Sequence, residues 1–105
     1  MTLATAQWRV DRLALSDGKS AVHLDREAAL GLIRALRTPQ VFASGSITYI
    51  GAGGETPACV FPEGKTMHVA LIKGGRIDHV EVVLNGTFGE ARQIEDTIPA
   101  SSESK

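Results

Sequence analysis

The sequence predicts an α+β fold, with one amphipathic helix packed on a mostly antiparallel sheet of about five or six strands in the order β-β-α-β-β-β-β. Three observations carry that expectation. Apolar residues recur at helical spacing from Ala29 to Leu36, two β-branched runs flank the turn Lys73-Gly74-Gly75-Arg76, and turn-forming pairs such as Asp17-Gly18 separate other apolar stretches.

The first strand is expected across Trp8, Val10, Leu13 and Leu15, whose spacing is nearly that of an extended chain. Asp17-Gly18 suits the positive backbone angles of a tight hairpin turn. A second strand follows at Lys19 to Leu24, with Ser20, Val22 and Leu24 turned inward and His23 outward. Asp25 is a good N-cap because its carboxylate can accept from the free amides of the next turn, and Glu27 sets a negative charge near the positive end of the helix dipole. Ala29, Leu32, Ile33 and Leu36 form one apolar stripe, with Arg34 and Arg37 outside it, until Pro39 disfavours helical geometry at Thr38. Gly31 inside this helix costs about 1 kcal/mol relative to alanine, which points to a close approach of helix to sheet.

Residues Val41 to Ile50 read as a strand with a bulge or bend at Ser44-Gly45-Ser46, because Phe42, Ile47, Tyr49 and Ile50 favour extended backbone. Gly51-Ala52-Gly53-Gly54 is a flexible loop, Ala58 to Phe61 a short strand, and Pro62-Glu63-Gly64 a turn. The strongest element is the last hairpin, Met67 to Ile72 and Ile77 to Leu84 around Gly74-Gly75. Residues 1–88 make the expected domain. Residues 89–105 hold too little apolar content to dock firmly and are expected to be a disordered tail, with Ile94 and Ile98 as transient anchors.

A chain of 105 residues has room for one core. Its 43% hydrophobic and 22% charged residues are an ordinary globular balance, and no run approaches the ~20 apolar residues of a bilayer span. The first residues lack the basic-then-apolar pattern of a secretory signal, so a small soluble cytoplasmic protein is expected. Eleven basic against twelve acidic residues give a net charge of −1, which supplies no field toward nucleic acid or anionic lipid. Trp8, Phe42, Tyr49, Phe61 and Phe88 are too scattered for a base-stacking platform. The lone Cys59 excludes an internal disulfide and every multi-cysteine zinc module.

One constellation has the residue types for chemistry. A two-residue turn at Gly74-Gly75 pairs Ile72 with Ile77, Ala70 with His79 and His68 with Glu81. Met67, Val69, Leu71, Val80 and Val82 then share a core face, while His68, His79 and Glu81 share the other. Two imidazoles and a carboxylate are a common ligand set for iron or zinc. The simpler alternative is a solvent-facing His–Glu pair, worth about a few tenths of a kcal/mol.

Cys59 faces a fork. A three-residue Pro62-Glu63-Gly64 loop sets it opposite Met67 as a small core residue. A two-residue Glu63-Gly64 loop sets it opposite His68, whose imidazole would lower the thiol pKa and make it a reactive thiol. The segment His68-Val69-Ala70-Leu71-Ile72, with its glycine turn and Ile77, resembles in outline the histidine strand of NlpC/P60-type cysteine peptidases. In that family the cysteine opens a helix well upstream of the histidine, whereas Cys59 lies shortly before His68 in an expected strand, so the activity does not carry over.

The glycines Gly51, Gly53 and Gly54 lack the third glycine of a dinucleotide-binding loop and run into Pro57, but a glycine loop beside a sheet edge can close over a ligand or partner. The expected function is therefore a non-enzymatic protein-interaction or regulatory module. It would meet another protein, or a second copy of itself, through an exposed strand edge, the glycine loop or the tail. The alternative is a small metal- or ligand-binding protein or enzyme using His68, His79 and Glu81. The residues specify no cofactor.

Overall fold

A computed structural model describes residues 5–51, 57–85 and 88–99, without the side chains of residues 42, 78–80 and 88–89. The elements run β1 (Thr5–Arg9), β2 (Arg12–Ser16), β3 (Ala21–Asp25), α1 (Arg26–Leu36), α2 (Pro39–Ser44), β4 (Thr48–Ile50), β5 (Ala58–Glu63), β6 (Thr66–Lys73), β7 (Arg76–Leu84) and α3 (Phe88–Thr97). The α+β class holds, with α1 packed against antiparallel strands. The strands divide between two sheets, ordered β1-β2-β3 and β4-β5-β6-β7, with β3 running alongside β7.

The expected first strand is a hairpin. Trp8 pairs with Leu13 and Arg9 with Arg12, so the chain reverses at Val10-Asp11. Trp8 and Val10 occupy even positions and Leu13 and Leu15 odd ones, and that change of parity is the mark of a turn that no glycine announces. Val10 instead takes the left-handed φ of +56°. The next connection is also wider than expected, because Ser16 pairs with Ala21. Asp17 Oδ1 closes it by accepting from the backbone N–H groups of Lys19 and Ser20, each at 2.9 Å.

Asp25 caps α1 as its chemistry requires, accepting the Ala28 N–H at 2.9 Å. The apolar stripe of α1 is buried at Ala29, Leu32, Ile33 and Leu36, together with Ala28 and Ala35. Gly31 rests against β4, where an added Cβ would lie 3.0 Å from the Ile50 Cβ, so the missing side chain permits the helix–sheet approach. Pro39 ends α1 and also begins α2, since proline's missing N–H costs nothing in a first helical turn. The expected strand at Val41 to Ile50 is therefore helical as far as Ser44 and extended only at Thr48–Ile50, with Gly45 closing α2 at φ +68°.

The tail expected at 89–105 is ordered as α3 as far as Thr97. Ala91 and Ile94 are buried and Ile98 packs on the same cluster, a stripe at helical spacing within an otherwise charged segment. This helix lies on α1 and β1, and Arg37, the C-cap of α1, meets Glu95 of α3 at 2.7 Å. Residues 100–105 lie outside the described residues. One apolar cluster joins the sheets through α1: Leu13, Leu15, Val22 and Leu24 from the first, and Val60, Met67, Val69, Val82 and Leu84 from the second. No helix among the described residues is long and apolar enough to cross a membrane.

Candidate functional site

The outer face of the second sheet carries His68. Its expected partner across the ladder changes, because β7 is irregular opposite Ala70–Ile72. Ile72 pairs with Ile77 as expected, but Ala70 faces Glu81 rather than His79, and His68 faces Val83 rather than Glu81. The extra β7 residues that cause this shift include no glycine, so nothing in the local sequence advertises the bulge. The two-residue offset preserves the faces: Met67, Val69 and Val82 still point into the core.

His68 nevertheless reaches Glu81 diagonally, with Nδ1 3.3 Å from Oε2, while Nε2 lies 2.9 Å from Glu63 Oε1. Its ring stacks on Phe61 at 4.9 Å between centroids, inclined by 13°. A doubly protonated ring donates to both carboxylates, whereas a neutral ring donates to only one. The carboxylates approach opposite ring nitrogens, so together with the imidazole they surround the ring rather than a common point. Among the described residues no group of three or more His, Cys, Asp or Glu side chains is placed to hold a metal ion. The side chain of His79 lies outside the described residues.

Cys59 takes neither register of its fork, but it is buried in the core as the first branch expected. The β5–β6 turn is Gly64-Lys65, with Glu63 paired to Thr66, and this sets Cys59 opposite Ala70. The thiol is fully buried. Burial pushes it above the ordinary thiol range and the charge of Glu81 acts in the same direction, so the thiolate needed for nucleophilic attack is disfavoured.

The glycine loop begins with a packing constraint. Gly51 is buried at φ +66°, and a Cβ there would lie 2.6 Å from the Ala28 Cβ, so the chain leaves β4 pressed against the start of α1. Gly53 and Gly54 lie outside the described residues. Gly51 also borders an open groove of about 520 Å³, walled by Glu27, Leu30, Gly31 and Arg34 of α1, Val41 of α2 and Tyr49 of β4.

This groove runs beside the edge of a sheet. The second sheet has two outer strands, β4 and β7. Strand β7 is guarded: β3 lies next to it, and the Val83 N–H is taken by Asp17 Oδ2 at 3.1 Å. Strand β4 pairs with β5 on one side and has no strand on its other side among the described residues, and the segment Ser46–Gly51 contains no charge and no proline. Natural sheets usually block such edges with those residues. Leu30, Ile47 and Tyr49 are exposed around it, Tyr49 at 67%. Leu30 is an apolar residue off the buried stripe of α1, and that position off the stripe is the signal in the sequence that marks it.

No family model matches the chain, and neither a curated protein nor a solved structure is significantly similar to it.

Proposed function

We propose that this chain is a protein-interaction module that accepts an extended strand on the open edge of β4 and seats that strand's side chains in the groove between α1, α2 and β4. The observation that carries the reading is the contrast between the two edges of one sheet. Asp17 and β3 close β7, while β4 is left free of charge and proline beside exposed Leu30 and Tyr49. Strand addition draws affinity from main-chain hydrogen bonds and specificity from pockets for alternate side chains, and this groove lies where such side chains would fall.

Selection of a displayed library of unstructured peptides against the immobilised protein tests the reading. Enriched peptides should carry alternating apolar residues, perturb the amide resonances of Thr48, Tyr49 and Ile50, and lose at least about tenfold in affinity with Tyr49→Lys, which restores a blocking charge. Absence of enrichment, or perturbation confined to other strands, defeats it.

A further inference from the structure

We infer that the strand received at β4 is β4 of a second copy of this chain, in a two-fold dimer whose register is set by Glu27 and Arg34. The inference rests on the strand-addition reading and names its partner. Glu27 and Arg34 are the charged residues that line the groove among the described residues, and they are opposite in sign. Both are exposed on α1, two turns apart, about 10 Å along the helix axis.

Midway between them stand Leu30 and Gly31, and Gly31 rests on Ile50 of β4. The centre of the charged stripe on α1 is thus the part of the helix adjacent to β4. A two-fold axis passing beside both elements at that level runs β4 antiparallel to its copy, brings Glu27 toward the partner's Arg34 and Arg34 toward the partner's Glu27, and leaves the exposed Leu30 close to the axis. A two-fold interface must be self-complementary, and a surface carrying opposite charges at equal distances from an apolar centre meets that condition. A binder of uniformly acidic or basic peptides would instead carry one sign of charge along the groove.

Sedimentation velocity on the full chain, with Glu27→Arg and Arg34→Glu variants, tests the inference. The wild type should dimerise reversibly. Each single variant opposes like charges twice across the axis and should raise the dimer dissociation constant by at least about tenfold. An equimolar mixture of the two variants should dimerise again, because every pair across the axis is then opposite in sign. That recovery also shows that both variants are folded. The milder Glu27→Gln and Arg34→Gln should each weaken the dimer, and their mixture should recover only in part, because the mixed dimer restores one of the two opposite-charge pairs.

A wild type that stays monomeric at about 0.5 mM, or a dimer indifferent to both charge inversions, overturns the second-copy inference. Peptides that bind at β4 in a Tyr49-dependent manner would still uphold strand addition itself. A monomer that also enriches no peptide overturns both readings.

Discussion

The carboxylate of Asp17 accepts the backbone N–H of Val83 at 3.1 Å, joining the turn between β2 and β3 to the outer edge of β7. The same side chain accepts from Lys19 and Ser20 through its other oxygen. One residue thus shapes a loop in the first sheet and contacts the outer strand of the second, and no such contact is made on the outer side of β4 among the described residues.

Asp17→Ala should destabilise the fold by about 1 kcal/mol in urea titrations, since it removes the acceptor for several amides at a partly solvated site. Slight burial raises the Asp17 pKa, but the hydrogen bonds from Ser20, Lys19 and Val83 outweigh it and hold the carboxyl below its ordinary value of 3.8. A depressed folded value means that this stabilisation is complete above the ordinary pKa and fades as pH falls through the lowered one. The gap between wild type and Asp17→Asn should accordingly be constant from neutral pH to about 5 and narrow below 4. A gap that widens in acid would refute this role for the carboxylate.

Two glycines separate packing from backbone strain. At Gly31 an added methyl would meet Ile50 at 3.0 Å with no positive φ involved, so Gly31→Ala gains helix propensity but overpacks a β-branched neighbour. The net cost should be about 1 kcal/mol. Gly51→Ala adds a left-handed backbone to a 2.6 Å approach and a 2.9 Å contact with the Ala28 backbone, and should cost more than about 2 kcal/mol. Thermal denaturation of both variants should rank them in that order; equal costs would mean that α1 and β4 separate easily.

What could be read from the sequence followed local chemistry. The cap at Asp25, the stripe from Ala29 to Leu36, the stop at Pro39 and the turn at Gly74-Gly75 each depend on residues within one turn of one another, and each is found in place. The departures came from features with no local marker. The Val10-Asp11 turn has no glycine, the irregular stretch of β7 has none either, and the segment from 88 to 98 is too charged on average for its Ala91–Ile94–Ile98 stripe to stand out. Of the residues singled out for chemistry, the structure brings His68 and Glu81 together and parts Cys59 from the imidazole it was to activate. The groove forms where α1, α2 and β4 meet, and the contact on the opposite edge of the sheet joins residues as distant as Asp17 and Val83, so neither has a local marker in the sequence.

Cys59 should resist alkylation in the folded protein, because the thiol is fully buried and its thiolate is disfavoured by burial and by Glu81. Iodoacetamide labelling in increasing urea should rise with the unfolded fraction, and rapid labelling in native buffer would contradict the buried assignment. A folded pKa above the ordinary 9.0 leaves stability undiminished below that pH and lowers it as pH rises beyond it. Cys59→Ala should remove that alkaline loss while costing about 1 kcal/mol at neutral pH from the volume left unfilled.

Val10 is the one described non-glycine residue with a positive φ, and at 96% exposure it has no packing that compensates for the strain. A β-branched side chain is among the least tolerant of left-handed backbone, whereas asparagine visits it readily. Val10→Asn should therefore stabilise the protein by about 1 kcal/mol, read as a higher urea midpoint with an unchanged slope. Val10→Gly should gain less, because glycine also makes the unfolded chain more flexible. If both variants are neutral, the turn has relaxed to an ordinary backbone in solution; if both are less stable, Val10 makes a contact that its exposure does not reveal. A gain for asparagine would mean that the hairpin tip holds a strained, exposed valine at the expense of stability, as recognition elements often do.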